Sequence, residues 1–183
     1  MKKLVAAILA LVLMLSFAAM ADTLKGDDFT MNLPAGATAD MKDKNSVATG
    51  EAFLNVNFSD GVFGLMGLWV DIKPSMLGGS QAAFDALGGG FAEGIVQGFE
   101  QGGATVSNMT DSTKQYNTVN GVDTCYYTTD VAMSFMGMDL NVRIGVLSAT
   151  SDSIGTYVFA GYAMDAASYD ATIAPILTTV AWN

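Results

Sequence analysis

The chain has 183 residues, about half of them hydrophobic, with eight basic and eighteen acidic side chains, a net charge of −10 and no histidine. That balance argues against nucleic acid as a partner, because Lys and Arg supply the phosphate contacts. The lack of histidine removes His-based triads, Cys–His dyads and histidine metal sites.

The N-terminus reads as an export signal. Met1-Lys2-Lys3 is a short basic start, an apolar run covers Leu4 to Ala19, and Ala19-Met20-Ala21 places small residues at the two positions a signal peptidase reads. The run falls short of the ~20 residues that span a bilayer, so cleavage near Ala21 is preferred to an uncleaved anchor. Asp22 stands where a lipoprotein would carry a cysteine. The expected organisation is a secretory signal over 1–21 and one domain over 22–183, periplasmic or extracellular after cleavage. Cleavage removes Lys2 and Lys3 and no acidic residue, so the exported chain is more acidic still. Such a surface favours solubility and repels anionic membranes.

After a polar, frayed stretch over 22–27, Phe29, Met31 and Leu33 alternate with Thr30 and Asn32, the period of a half-buried strand. Pro34 ends it, and residues 35–46 read as a loop. "EAFLNVNF" and "VFGLMGLWVDI" are two further strands with "SDG" as the turn between them. The second is apolar on both faces, which places it centrally in a sheet.

The stretch 86–103, "ALGGGFAEGIVQGFEQGG", follows a plausible N-cap at Ser80. Phe84, Leu87, Phe91, Ile95 and Phe99 recur at spacings of three and four, one face of a helix, with Asp85, Glu93, Gln97 and Glu100 opposite. It is no dinucleotide loop: the sixth residue from Gly88 is Glu93 and not glycine, and no G-K-[ST] occurs. Ala86, Gly90, Gly94, Gly98 and Gly102 form a small-residue row of the kind that packs membrane helices. Asp85, Glu93 and Glu100 would then lie in hydrocarbon, at about 2.5–3.5 kcal/mol each. The helix is therefore read as soluble. Each interior glycine costs about 1 kcal/mol against alanine. Close packing of the row on the sheet or on a second helix is the preferred offset, with a break at Gly88–Gly90 or a partner groove as alternatives.

Beyond Gly103 the chain returns to strands. Asn120-Gly121 marks a two-residue hairpin. From there Cys125, Tyr127, Thr129, Val131, Met133 and Phe135 share one face. A turn near Met136-Gly137 reverses the chain into the alternation Leu140, Val142, Ile144, Val146, and "TSDSIG" turns it again into "TYVFAGYAM". Tyr169, Ile173, Ile176 and Val180 have helical spacing, with Asp165 or Ser168 as cap and Pro175 expected to kink or restart the helix. The lone Cys125 cannot form an internal disulfide and reads as a small buried hydrophobe, with intermolecular pairing the alternative.

Candidate metal patterns are weak. "NVNFSDG" (55–61) alternates oxygen side chains, yet the twelfth position of a calcium loop would be Met66. Met133, Met136 and Met138 offer thioethers that suit Cu(I), without a neighbouring His or Cys; core and edge packing is the preferred account. Glu93 and Glu100 read as a solvated helix face.

The order of elements resembles the PsbP/Mog1-like domain family, including small exported bacterial members. The likeness rests on "FTMNLPAG", the helix from Ser80 to Gln101 followed by "GGATV", "TVNGVDTCYY", "TYVFAGYAM" and a terminal helix ending in "TTVAW". The resemblance implies an α+β fold, an antiparallel sheet flanked by helices as an α/β/α sandwich. It also implies adaptors and extrinsic subunits more than enzymes. It carries no catalytic motif, so no catalytic, cofactor-binding or metal residue is assigned. The glycine-rich helix departs from the family pattern. The expectation is an exported, non-enzymatic, protein- or envelope-interaction module with no nucleic-acid partner and no membrane insertion of the mature domain. A small-ligand or copper carrier is the alternative, and a carboxylate-based hydrolase the third reading.

Overall fold

The computed structural model describes residues 20–59, 63–87 and 89–183. Eight strands form one antiparallel sheet in the order β3-β4-β5-β10-β9-β8-β6, with β7 also paired to β8. They are β3 (Thr38–Met41), β4 (Ala52–Asn57), β5 (Phe63–Val70), β6 (Thr105–Asp111), β7 (Gln115–Val119), β8 (Val122–Phe135), β9 (Met138–Ser151) and β10 (Gly155–Ala163). A second, small sheet joins β1 (Met20–Lys25), β2 (Phe29–Pro34) and β11 (Ala181–Trp182) in the order β1-β2-β11. The helices are α1 (Pro74–Leu77), α2 (Ser80–Leu87), α3 (Gly89–Gln101) and α4 (Ala166–Thr178).

Period-two patterning explains the long central hairpins. Cys125, Tyr127, Thr129, Val131 and Met133 are all buried, as their alternation predicts. Asn120 and Gly121 have φ of 53° and 78°, and Met136 and Gly137 have 50° and 78°. Positive φ at both central residues is the primed geometry that matches strand twist, and it fixes Val119 opposite Val122 and Phe135 opposite Met138. β5 lies between β4 and β10, the interior position its two apolar faces require.

The large sheet separates two cores. On one face, Phe29, Met31 and Leu33 of β2 and Tyr169, Ile173 and Ile176 of α4 pack with Phe53, Tyr157 and Phe159. Fully burying a side chain of this size contributes about 1.5–3 kcal/mol. On the other face, Ala92 and Val96 of α3 pack on Tyr127, Val131, Val142, Ile144 and Val146. The expected α+β architecture, an antiparallel sheet flanked by helices, is the one observed.

Several local expectations are corrected. The stretch 22–27 is not frayed: residues 22–25 pair with β2 in register Leu24–Met31. The expected loop at 35–46 contains β3, paired to β4, and a 3-10 turn over Lys44–Ser46. Ser80 is the first residue of α2 and not its cap, because its hydroxyl donates to Asp123 at 2.5 Å. Pro175 neither restarts nor ends α4, which runs from Ala166 to Thr178 with Asp165 accepting from the Ser168 amide. The proline removes only the bond to the carbonyl of Ala171, a residue exposed to solvent. Val180 falls beyond the helix, and "AW" forms β11 against β2. Residues 1–19 of the export segment and most of the "SDG" turn lie outside the described residues, while residues 20 and 21 begin β1.

Candidate functional site

Helix α3 covers only part of its face of the sheet. Its buried seam is Ala92 and Val96, while Phe91, Ile95 and Phe99 are half-buried along one flank. The apolar ridge expected at the centre of the contact is thus turned toward the β5 side. The small pair Ala92–Val96 brings the helix close to the sheet, and the bulkier row leans outward.

Among the described residues, that outward flank meets no third layer over β4 and β5. In the paired register Asn57 lies beside Gly64, Asn55 beside Met66, and Met66 beside Ala160. Cross-strand partners share a face of the sheet, so Asn55, Asn57, Gly64, Met66 and Leu68 look toward the α3 flank. A groove of about 740 Å³ results, walled by α3 and floored by β4, β5 and β10.

The glycine row forms the lip of this groove. A Cβ added at Gly90, Gly94 or Gly98 meets nothing within 4 Å. The expected packing of this row on the sheet or a second helix is therefore not found, and the partner-groove alternative describes the geometry. As for a break, α2 and α3 are separate helices, and Gly88 between them lies outside the described residues. Close glycine packing occurs instead on the opposite face, where glycines of the sheet admit a helix. A Cβ at Gly161 would lie 2.6 Å from the Ile173 side chain of α4.

The described lining is uncharged. Its polar groups are the carboxamides of Asn55 and Asn57 and the hydroxyl of Tyr162, whose ring covers Gly64. None of the three has a hydrogen-bond partner among the described residues.

Several charged side chains outside the groove are paired with one another. Arg143 donates to Asp130 at 2.6 and 2.9 Å and reaches Asp170. Lys114 pairs with Asp85 at 3.0 Å. Lys44 pairs with Asp28, and its ammonium lies 5.1 Å from the Trp69 ring centroid, while Tyr157 donates to the same Asp28 carboxylate at 2.5 Å. Hydrogen bonds to Gln81, Ser80 and Arg143 hold the carboxyls of Asp85, Asp123 and Asp130, respectively, below the usual range. Burial pushes the Cys125 thiol up.

The sequence patterns considered for metals are dispersed. Asn55 and Asn57 lie on a strand and not in a calcium loop. Met133 is buried in the core, whereas Met136 and Met138 are exposed at the hairpin tip, at 82% and 57%. Among the described residues no three His, Cys, Asp or Glu side chains form a group able to hold a metal ion. No helix among them is long and apolar enough to cross a membrane.

No family model and no curated protein matches this sequence. Among solved structures, the chain is similar to the solution structure of cyanobacterial PsbP (CyanoP) from Synechocystis sp. PCC 6803. The TM-score is 0.50 at 12% identity, over 88% of this chain and 92% of the other. At that identity the likeness speaks to architecture alone. What this chain shares with cyanobacterial PsbP is its fold, and the chain is PsbP-like in that sense.

Proposed function

We propose that the protein is an exported, non-enzymatic binding module and that the groove beside α3 is its binding surface. One observation carries this reading. Three glycines stand in a helix where alanine would fit and would add about 1 kcal/mol at each position. Stability is forgone at the one surface where side chains would fill the groove. A sequence that breaks a local rule in this way marks a functional site. Export is supported by the basic-apolar-small pattern of residues 1–21.

A hydrolase reading finds no support in the carboxylates. A general acid needs a pKa raised toward neutrality, and the carboxyls with a resolved shift, Asp85, Asp123, Asp130, Asp152 and Asp165, move downward instead. Among the described residues no aspartate or glutamate lines the groove.

Photo-cross-linking in the natural host tests the assignment. A benzophenone side chain placed at Asn57, in the groove, is expected to capture material that the same group at Thr178, exposed on the opposite face, does not. Identical products from both positions would overturn it.

A further inference from the structure

The groove is polar at one end and apolar at the other. At the first end Gly64 pairs with both Asn57 and Tyr162. Phe99 packs edge-on against the Tyr162 ring, centroids 5.3 Å apart, which fixes the C-terminal end of α3 there. Phe91 lies eight residues earlier, about 12 Å back along the helix axis. The floor from Gly64 to Leu68 spans about 13 Å of strand, so Phe91 and Gly90 stand toward Leu68. Asn57 and the Tyr162 hydroxyl mark the polar end and Asn55 lies midway. Met66, Leu68, Phe91 and Ile95 make up the rest.

Charge narrows the occupant further. Among the described residues no charged side chain lines the groove, in a chain with eighteen acidic and eight basic residues. A charged head group placed there would be desolvated without a counter-charge. The negative field of the chain opposes an anion in particular. A second copy would bring the same excess of negative charge. The volume is that of a small-molecule site, in which an apolar wall and a few placed polar groups set orientation.

Resting on the reading of this groove as the binding surface, we propose that its occupant is a neutral amphiphile. An uncharged hydroxyl- or amide-bearing head meets Asn57 and Tyr162, and Asn55 lies within reach of its neck. An apolar tail lies along Gly90, Gly94 and Gly98, against Ile95, Met66 and Leu68. The missing Cβ atoms let tail carbons touch the helix backbone.

The test uses the purified full chain, the neutral dye Nile red, and two competitors with the same acyl chain: monoolein, with a neutral glycerol head, and oleate, with a carboxylate. Expected are saturable one-to-one dye binding and displacement by monoolein at about tenfold lower concentration than by oleate. Gly94→Leu fills the trough and is expected to abolish dye binding while the melting temperature holds or rises. Asn57→Ala is expected to weaken monoolein by about three- to tenfold and leave the dye unchanged. Several results overturn the proposal: no saturable binding, binding indifferent to Gly94→Leu, or oleate equal to monoolein. A dimer that Gly94→Leu dissociates, with no dye uptake, would assign the groove to a second copy instead. If cross-links from position 57 stay specific while monoolein fails to bind, only the amphiphile is wrong. If both fail, the groove is not the binding surface.

Discussion

The Tyr169 hydroxyl of α4 sits directly over Gly145 of β9, so close that a Cβ at position 145 would overlap its oxygen. The same oxygen lies 3.0 Å from the Tyr126 hydroxyl. Helix and sheet are thus keyed together by a missing side chain and closed by a hydroxyl pair.

This key predicts that Gly145→Ala is strongly destabilising, by about 1–3 kcal/mol or more, since overpacking forces backbone shifts. Replacing Tyr169 by Leu loses core contacts alone, yet it should relieve part of the Gly145→Ala penalty. Urea denaturation of both single variants and the double variant measures the coupling, and strict additivity would sink the account.

The opposite sign is expected on α3. Gly90→Ala, Gly94→Ala and Gly98→Ala each add a Cβ that meets nothing within 4 Å. Each should raise stability by up to about 1 kcal/mol, read as an upward shift of the denaturation midpoint. Loss of stability in all three would show that the row packs against something after all.

The hairpin at Asn120-Gly121 should tolerate little change. Both residues have positive φ, and the Asn120 side-chain amide donates to the Trp182 carbonyl at 2.9 Å. Asn120→Ala should cost about 1–2 kcal/mol and loosen β11. Asn120→Gly keeps the turn and loses only the tether. Hydrogen exchange at β11 distinguishes the two, with faster exchange expected in both variants and global destabilisation chiefly in the alanine.

Acid should weaken the fold below pH 4. Ser168 holds the helix-capping Asp165 carboxyl low, Ser80 holds Asp123 low, and Arg143 holds Asp130 low. A carboxyl whose folded pKa is depressed contributes stability above its unfolded value, about 3.9. That contribution is lost as pH falls through the folded pKa. Stability from these groups is therefore expected to be flat between pH 5 and 7 and to fall below pH 4. Asp165→Asn should shallow that fall; an unchanged acid limb would contradict the cap's role.

The single thiol offers a probe of opening. Cys125 is buried and burial raises its pKa, so little reactive thiolate is present at neutral pH. A disulfide reagent at pH 8 should label the native chain slowly and the urea-unfolded chain at once. Rapid native labelling would argue for the intermolecular pairing considered from sequence.

The two-residue periodicity of β8 and of β9 from Leu140 to Val146 and the turn residues Asn120-Gly121 and Met136-Gly137 were legible because local chemistry alone sets them. Alternation chooses the buried face, and positive φ chooses the turn. β1, β3 and β11 were not legible. Their residues are polar or short, and pairing to β2 and β4 brings them into the sheets, a decision made by partners distant in sequence. Ser80 looked like a cap until the fold brought Asp123 beside it. Pro175 looked like a break until packing of Ile173, Ile176 and Leu177 outweighed one lost hydrogen bond.

The sequence by itself determined that residues 80–87 and 89–101 form amphipathic helix and that its charges lie away from the core, because periodicity and charge are properties of the chain. It also determined which chemistries are missing, since a side chain that is absent cannot be supplied by folding. Which flank of that helix touches the sheet was decided only in three dimensions. Ala92 and Val96 allow a closer approach than the larger Phe91, Ile95 and Phe99, so the helix settles on its small side. The glycine row is left beside a bare half-sheet, and a pattern that read as a packing device became the wall of a groove.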